Sequence, residues 1–129
     1  MIEPAIVVIA YNREKPLLRL LESLANAHYP SQKITLHISI DASENIDVEE
    51  VARAFEWKHG DKVVDVKSEN LGLLKHVFEC GQLTEKYGAI VVLEDDLIVA
   101  PGYYLYAQKA NGFYSEDEKV AGVSLYTYA

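Results

Sequence analysis

Three consecutive carboxylates, Glu94, Asp95 and Asp96, end an unbroken apolar run at residues 89–93 (A-I-V-V-L), and apolar residues resume at Leu97. Two unit charges about 5 Å apart repel by roughly 3 kcal/mol at an effective dielectric of about 20. A bound cation relieves such crowding; the plainer alternative is a solvated acidic turn. Hard oxygen donors of this kind favour magnesium or manganese. The apolar run, rich in β-branched residues, suits a strand covered on both faces, as in a parallel sheet. Ligands of open α/β sheets bind at the carboxyl ends of the strands, where the acidic triplet falls. Strand alternation predicts Glu94 and Asp96 on one side and Asp95 on the other.

The elements that must position this triplet are legible in order. Residues 5–10 (A-I-V-V-I-A) predict a buried strand, followed by a Tyr11-Asn12-Arg13 loop. Pro16 suits the first turn of a helix, whose face is Leu17, Leu18, Leu20, Leu21 and Leu24. Residues 34–40 (I-T-L-H-I-S-I) alternate, predicting a second strand whose Thr35, His37 and Ser39 face is less buried. Asp47 is the expected N-cap of a helix over 48–58. A turn at Gly60-Asp61 precedes a third strand at 63–66. A helix over 73–87 then ends at a Gly88 cap. After the acidic-ended strand come a helix from Pro101 to about Tyr114 and a fifth strand at 120–125. Strands and helices alternate at spacings suited to βαβ crossovers. The predicted fold class is α/β, an open, mostly parallel, doubly wound sheet.

Four loops gather on one edge of such a sheet: 11–13, 41–45, 68–75 and 94–96. They offer an aromatic ring, amides, basic groups and carboxylates, a set suited to a nucleoside diphosphate bound through a divalent metal. No G-x-G-x-x-G follows the first strand and no G-x-x-x-x-G-K-[S/T] occurs, which disfavours a dinucleotide site and excludes a P-loop. Each residue also has a plainer reading. Asp41 caps its own loop, Asn70 and Gly72 turn the chain, and Lys75 and His76 lie on a helix surface. No pair among His28, His37 and His59 has metal-ligand spacing. Tyr103, Tyr104 and Tyr106 pack the last helix, and Cys80 is buried and inert.

Composition narrows the partners. A formal net charge of −8 over 129 residues argues against a nucleic-acid backbone, which needs excess Lys and Arg. One cysteine permits neither an internal disulfide nor a cysteine zinc site. No run reaches transmembrane length and no signal peptide is evident. A cytoplasmic bacterial setting is expected, with a luminal secretory-pathway domain as the alternative.

These residues resemble a known family. Residues 7–24 (V-V-I-A-Y-N-R-E-K-P-L-L-R-L-L-E-S-L) resemble the opening strand and helix of bacterial family 2 glycosyltransferases of GT-A fold, and are similar to eukaryotic N-acetylglucosaminyltransferases. I-S-I-D-A-S (38–43) resembles their second strand, and E-N-L-G-L-L-K-H (69–76) the family 2 N-x-G loop. V-V-L-E-D-D-L-I-V-A-P (91–101) is similar to the E-D-D-L-x-V-A-P form of the D-x-D motif. The resemblance implies that Asp96 ligates Mn2+ or Mg2+ bridging the diphosphate of a UDP-sugar. It further implies that Glu94 and Asp95 contact the ribose or donor sugar and that Asp41 hydrogen-bonds the uracil. Ala10, Tyr11, Asn12 and Arg13 would line the nucleoside pocket, with Asn70 and Lys75 near the phosphates or sugar. Gly102 departs from the acidic residue often found after the proline, and Asn12 stands where some relatives carry Asp.

The expected activity is transfer of the sugar to an acceptor hydroxyl, a glycan or another, with inversion. The whole chain reads as the nucleotide-sugar-binding half. The acceptor half and the catalytic base are expected beyond residue 129, so the fragment should bind donor and transfer sugar poorly or not at all. Rival readings are a sugar nucleotidyltransferase, a non-catalytic nucleotide-binding domain and a receiver-like signalling module. The first lacks its Gly-rich loop after strand one, and the last would carry its acidic pair there.

Overall fold

A computed structural model describes residues 2–114. These contain β1 (Ala5–Ala10), α1 (Glu14–Ala25), β2 (Leu36–Ile40), α2 (Ile46–Ala54), β3 (Lys62–Val66), α3 (Leu73–Gly81), α4 (Thr84–Tyr87), β4 (Ile90–Glu94) and α5 (Tyr103–Tyr114). The described strands form one parallel sheet in the order β3-β2-β1-β4. The fifth strand expected at 120–125 lies outside the described residues.

Alternation along β1 divides the apolar side chains between two helical layers. Ile6, Val8 and Ala10 join Leu36, Ile38, Ile40, Val91 and Leu93 against Leu17, Leu20, Leu21 and Leu24 of α1, Val48 and Ala52 of α2, and Tyr103, Tyr104 and Ala107 of α5. Val7 and Ile9 point the other way, where they meet Cys80 of α3. Helices on both faces make the sheet doubly wound, as the alternating pattern predicted. At the edge of the described sheet, β4 departs from its expected burial on both faces: Val91 and Leu93 are buried, but Val92 is 39% exposed.

β2 corrects a second expectation. Its polar face is not the wetter one, since His37 and Ser39 are both buried. Each polar side chain finds a partner instead. Ser39 Oγ bonds His76 Nε2 on α3 at 2.8 Å. His37 bonds the Tyr87 hydroxyl on α4 at 2.8 Å and reaches Asp65 on β3 at 3.4 Å. His76 is therefore 2% exposed rather than a helix-surface residue.

Other boundaries move for local reasons. The expected helix over 73–87 is two, α3 and α4, with Gln82 and Leu83 between them. Gly88, at φ 82°, ends α4 with its N–H on the Thr84 carbonyl, as expected. The N-cap of α2 is Asn45 and not Asp47: the Asn45 side chain accepts from the Asp47 N–H at 3.1 Å, and the helix stops at Ala54 instead of 58. The last helix starts at Tyr103, with Tyr103 and Tyr104 buried and Tyr106 65% exposed. The Tyr104 hydroxyl donates to the Pro4 carbonyl at 2.6 Å, tying α5 to the start of β1.

Candidate functional site

In this strand order β1 stands between β2 and β4, and the order reverses there: α1 and α2 cover one face beside β1, β2 and β3, while α3, which leads from β3 to β4, lies on the other face. The crevice outside the carboxyl ends of β1 and β4 is the switch point at which open α/β sheets bind ligands. A cavity of about 280 Å³ opens there. It is close to the lower bound, about 300 Å³, of ordinary small-molecule sites. Ile9 and Ala10 line it from β1 and Tyr11 from just beyond, Asp41 from the residue after β2, Asn70, Gly72, Leu73 and His76 from the loop and helix after β3, and Glu94 and Asp95 from the end of β4 and the residue after it.

Register brings these groups together. Ile9 pairs with Glu94, and Ala10 with Ile40. The Asp95 N–H donates to the Ile9 carbonyl at 3.1 Å, and the Asp41 N–H to the Ala10 carbonyl at 2.9 Å. The strand ends at Glu94 and the chain turns through Asp95 and Asp96. The simple alternation expected across 94–96 therefore fails: adjacent Glu94 and Asp95 both line the cavity, whereas Asp96 is exposed beside it. The Arg13 guanidinium stands 3.8 Å from the Asp95 carboxylate, whose side chain is 14% exposed. Burial pushes the Asp95 carboxyl above the ordinary carboxylate range; Arg13 and the Tyr11 backbone pull it down, while Asp96 and Glu94 push it up. A divalent cation at this strand end would favour the charged form.

Asp41 is buried, with its carboxylate on the loop after β3. It accepts from the backbone N–H groups of Leu71 at 2.8 Å and Gly72 at 3.0 Å. Asn70 is exposed, and its amide donates to the Ala42 carbonyl at 3.1 Å. Asn12 and Arg13 stand outside the cavity lining. The Asn12 carbonyl accepts from the Asn45 amide at 2.9 Å, fixing the loop after β1 to the start of α2. Lys75 is exposed and does not line the cavity; its neighbour His76 does. Sequence reasoning passed over Ile9 and Leu73, and read Gly72 only as a turn residue and His76 only as a helix-surface residue. The polar face of β2 was the available signal for His76, because a buried Ser39 needs a partner from the helix above it.

The two buried imidazoles set a pH dependence. Burial holds His37 and His76 below the ordinary imidazole value of 6.5; Asp65 opposes this at His37, and Asp41 at His76. Between the folded and unfolded values the unfolded chain binds more protons, so stability rises with pH in that window. The contribution is complete above about pH 6.5 and is lost as pH falls through the folded values. Urea unfolding should give a lower midpoint at pH 5.5 than at pH 7.5, with a shallower slope in His76→Gln. A midpoint that does not move between those two pH values would remove the argument.

A parallel sheet with helices on both faces, a cavity at its carboxyl edge and an acidic strand end matches the GT-A glycosyltransferase fold. Residues 5–124 match the family described as glycosyl transferase family 2. The chain belongs to that family. No curated protein gives a significant match. Among solved structures the chain is similar to S. aureus TarS, with a TM-score of 0.63 at 19% identity over 88% of this chain and 20% of that one. It is similar to TarS 1–349 in complex with UDP, with a TM-score of 0.59 at 17% identity over 87% of this chain and 32% of that one. TarS 1–349 in complex with UDP-GlcNAc gives 0.60 at 18% identity over 87% and 31%. The chain thus spans between a fifth and a third of the length of these structures, which share its fold. Among the described residues no helix is long and apolar enough to cross a membrane.

Proposed function

We propose that this chain forms the donor site of a glycosyltransferase that takes a UDP-sugar, a hexose or N-acetylhexosamine donor, and passes the sugar to an acceptor hydroxyl with inversion. The observation that carries the reading is the switch-point cavity of a family 2 fold, walled on one side by Glu94 and Asp95, with the exposed Asp96 next in the chain. The fold likeness to a protein crystallised with UDP and with UDP-GlcNAc supports the choice of nucleotide.

The donor set fits a hard divalent cation, Mn2+ or Mg2+. Among the described residues no group of three or more His, Cys, Asp or Glu is arranged to hold a metal. A site of one or two carboxylates completed by substrate phosphates is the usual form for magnesium. Asp96 would hold the ion, which when bound offsets the charge of the leaving diphosphate. Glu94 and Asp95 would meet the ribose or sugar, Ala10 and Tyr11 the nucleoside, and Lys75, on an exposed turn of α3, the phosphates. Arg13, 3.8 Å from the Asp95 carboxylate, would act on the donor only by offsetting the charge of that carboxylate.

Calorimetric titration with UDP, with and without manganese, tests the reading. Saturable binding that requires the metal is expected. Binding of equal strength in EDTA would reject the metal bridge, and no binding in either condition would reject the donor site.

A further inference from the structure

The helical segment between β3 and β4, residues 73–87, lines the cavity through Leu73 and His76 and is fastened to the sheet unlike the helices of the opposite face. There α1 buries four leucines in the main core. α3 instead buries His76 and Cys80 and turns Leu74 and Phe78 outward, 89% and 69% exposed. Among the described residues the buried cluster beneath it is Val7, Ile9 and Cys80, with Leu83 and Ile90 at its margin. Polar pairs tie the segment to β2 and to the end of β3. His76 Nε2 meets Ser39 Oγ at 2.8 Å, His37 Nδ1 meets the Tyr87 hydroxyl at 2.8 Å, and the Glu79 carboxylate lies 4.0 Å from the Lys67 ammonium.

A glycine stands at each end in a backbone conformation that other residues rarely adopt, Gly72 at φ 80°, ψ 160° and Gly88 at φ 82°, ψ −40°. A Cβ at either would meet nothing within 4 Å, so the backbone has room to turn there. Hydrogen bonds change sides at the same two residues. The Gly72 N–H is held by the Asp41 carboxylate at 3.0 Å, while its carbonyl accepts from the His76 N–H at 3.0 Å, within the first turn of α3. The Gly88 N–H donates to the Thr84 carbonyl of α4 at 2.8 Å, while the next carbonyl, that of Ala89, accepts from the Ala5 N–H of β1 at 3.0 Å. Rotation at the two glycines therefore leaves these anchoring bonds in place.

We infer that residues 73–87 form a strap, hinged at Gly72 and Gly88 and latched by the Ser39–His76 and His37–Tyr87 pairs, that opens to admit a nucleotide and closes to wall it in. The inference rests on the donor-site reading for the identity of that ligand. An element with few buried apolar contacts opens at a lower free energy than the core it lies on, and elements that admit and enclose ligands are drawn from that low end.

Amide exchange of the full 129-residue chain, followed by NMR at increasing urea, tests it, with UDP and manganese as the probe ligand. Without nucleotide, amides of α3 and α4 should exchange at least about tenfold faster than those of β1 and β2 and respond less to urea. Ile38→Val, in the core of the opposite face, should speed β1 and β2 exchange about fivefold and leave the strap unchanged. Ser39→Ala removes one latch and should speed strap exchange about tenfold. UDP with manganese at about a hundred times its Kd should slow strap exchange about a hundredfold, because the open form lacks one wall of the site. A single rate and urea dependence shared by strap, β1 and β2 in wild type overturns the inference, whether or not either variant folds. So does UDP binding that slows β1 exchange and leaves the strap unchanged, or a Ser39→Ala strap that exchanges at the wild-type rate. Failure of wild type to bind UDP rejects the donor-site reading instead, and the nucleotide-free exchange then decides separately whether residues 73–87 open as a unit.

Discussion

Asp96→Ala should remove manganese-dependent UDP binding, with affinity falling by about a hundredfold or more. Losing a group that only orients a metal ligand costs about ten- to a hundredfold in metal affinity, and losing the ligand itself costs at least as much. Asp96 is exposed and follows the end of the strand at Glu94, so its removal leaves the sheet and its register untouched. The variant should unfold at the same urea concentration as wild type while failing to take up nucleotide in the calorimeter. Asp95→Ala should behave differently, because Asp95 is partly buried and faces Arg13; its loss disturbs the loop after β1 as well as the site. Retention of metal-dependent binding by Asp96→Ala would transfer the metal to Glu94 or Asp95.

The largest stability effect is expected at Gly60. A Cβ there would lie 2.1 Å from the Ile34 carbonyl oxygen, 2.6 Å from its nitrogen and 2.7 Å from its carbonyl carbon. These are backbone atoms already committed. The Ile34 N–H donates to the His59 carbonyl at 2.9 Å, its carbonyl accepts from Trp57 Nε1 at 2.8 Å, and the Leu36 N–H donates to the Asp61 carbonyl at 2.8 Å. The two chains can separate only by breaking the entry to the β2–β3 ladder. Gly60→Ala should therefore cost about 3 kcal/mol or more, the upper end for forced overpacking. Gly102 is the control, since a Cβ there meets nothing within 4 Å and Gly102→Ala should stay within about 0.5 kcal/mol of wild type. Urea unfolding of both variants decides it: a Gly60→Ala loss of under about 1 kcal/mol would mean that the close approach is not needed.

Gly60 also marks where sequence reading stops. Gly60-Asp61 reads as a turn, and the chain does bend at 59–60, but a glycine needed for flexibility looks the same on the page as one needed for closeness. The four described strands were legible because apolar and β-branched runs can bury themselves in few other ways, and the leucines of α1 because their spacing repeats the helical period. The break between α3 and α4 was not, since residues 73–87 show no proline or interior turn signal strong enough to divide one helix. The cap at Asn45 was missed for a related reason: Asn45 and Asp47 are both good N-caps, and the choice fell to the residue whose amide also reaches the Asn12 carbonyl and Glu14.

The sequence by itself determined the layered α/β architecture, the acidic end of β4 and the loops that gather there, because hydrophobic period and strand direction are local properties of the chain. Tertiary structure alone decided which of those polar groups face a ligand and which face the protein. Asp41, Ser39 and His37 follow one another at every second position, a pattern that suits a wet strand face, yet α3, α4 and the 70–72 loop pack over it. A polar side chain carries no mark of its partner. Whether it meets solvent, substrate or another part of the chain depends on what the fold lays across it, and that is set by contacts between residues tens of positions apart.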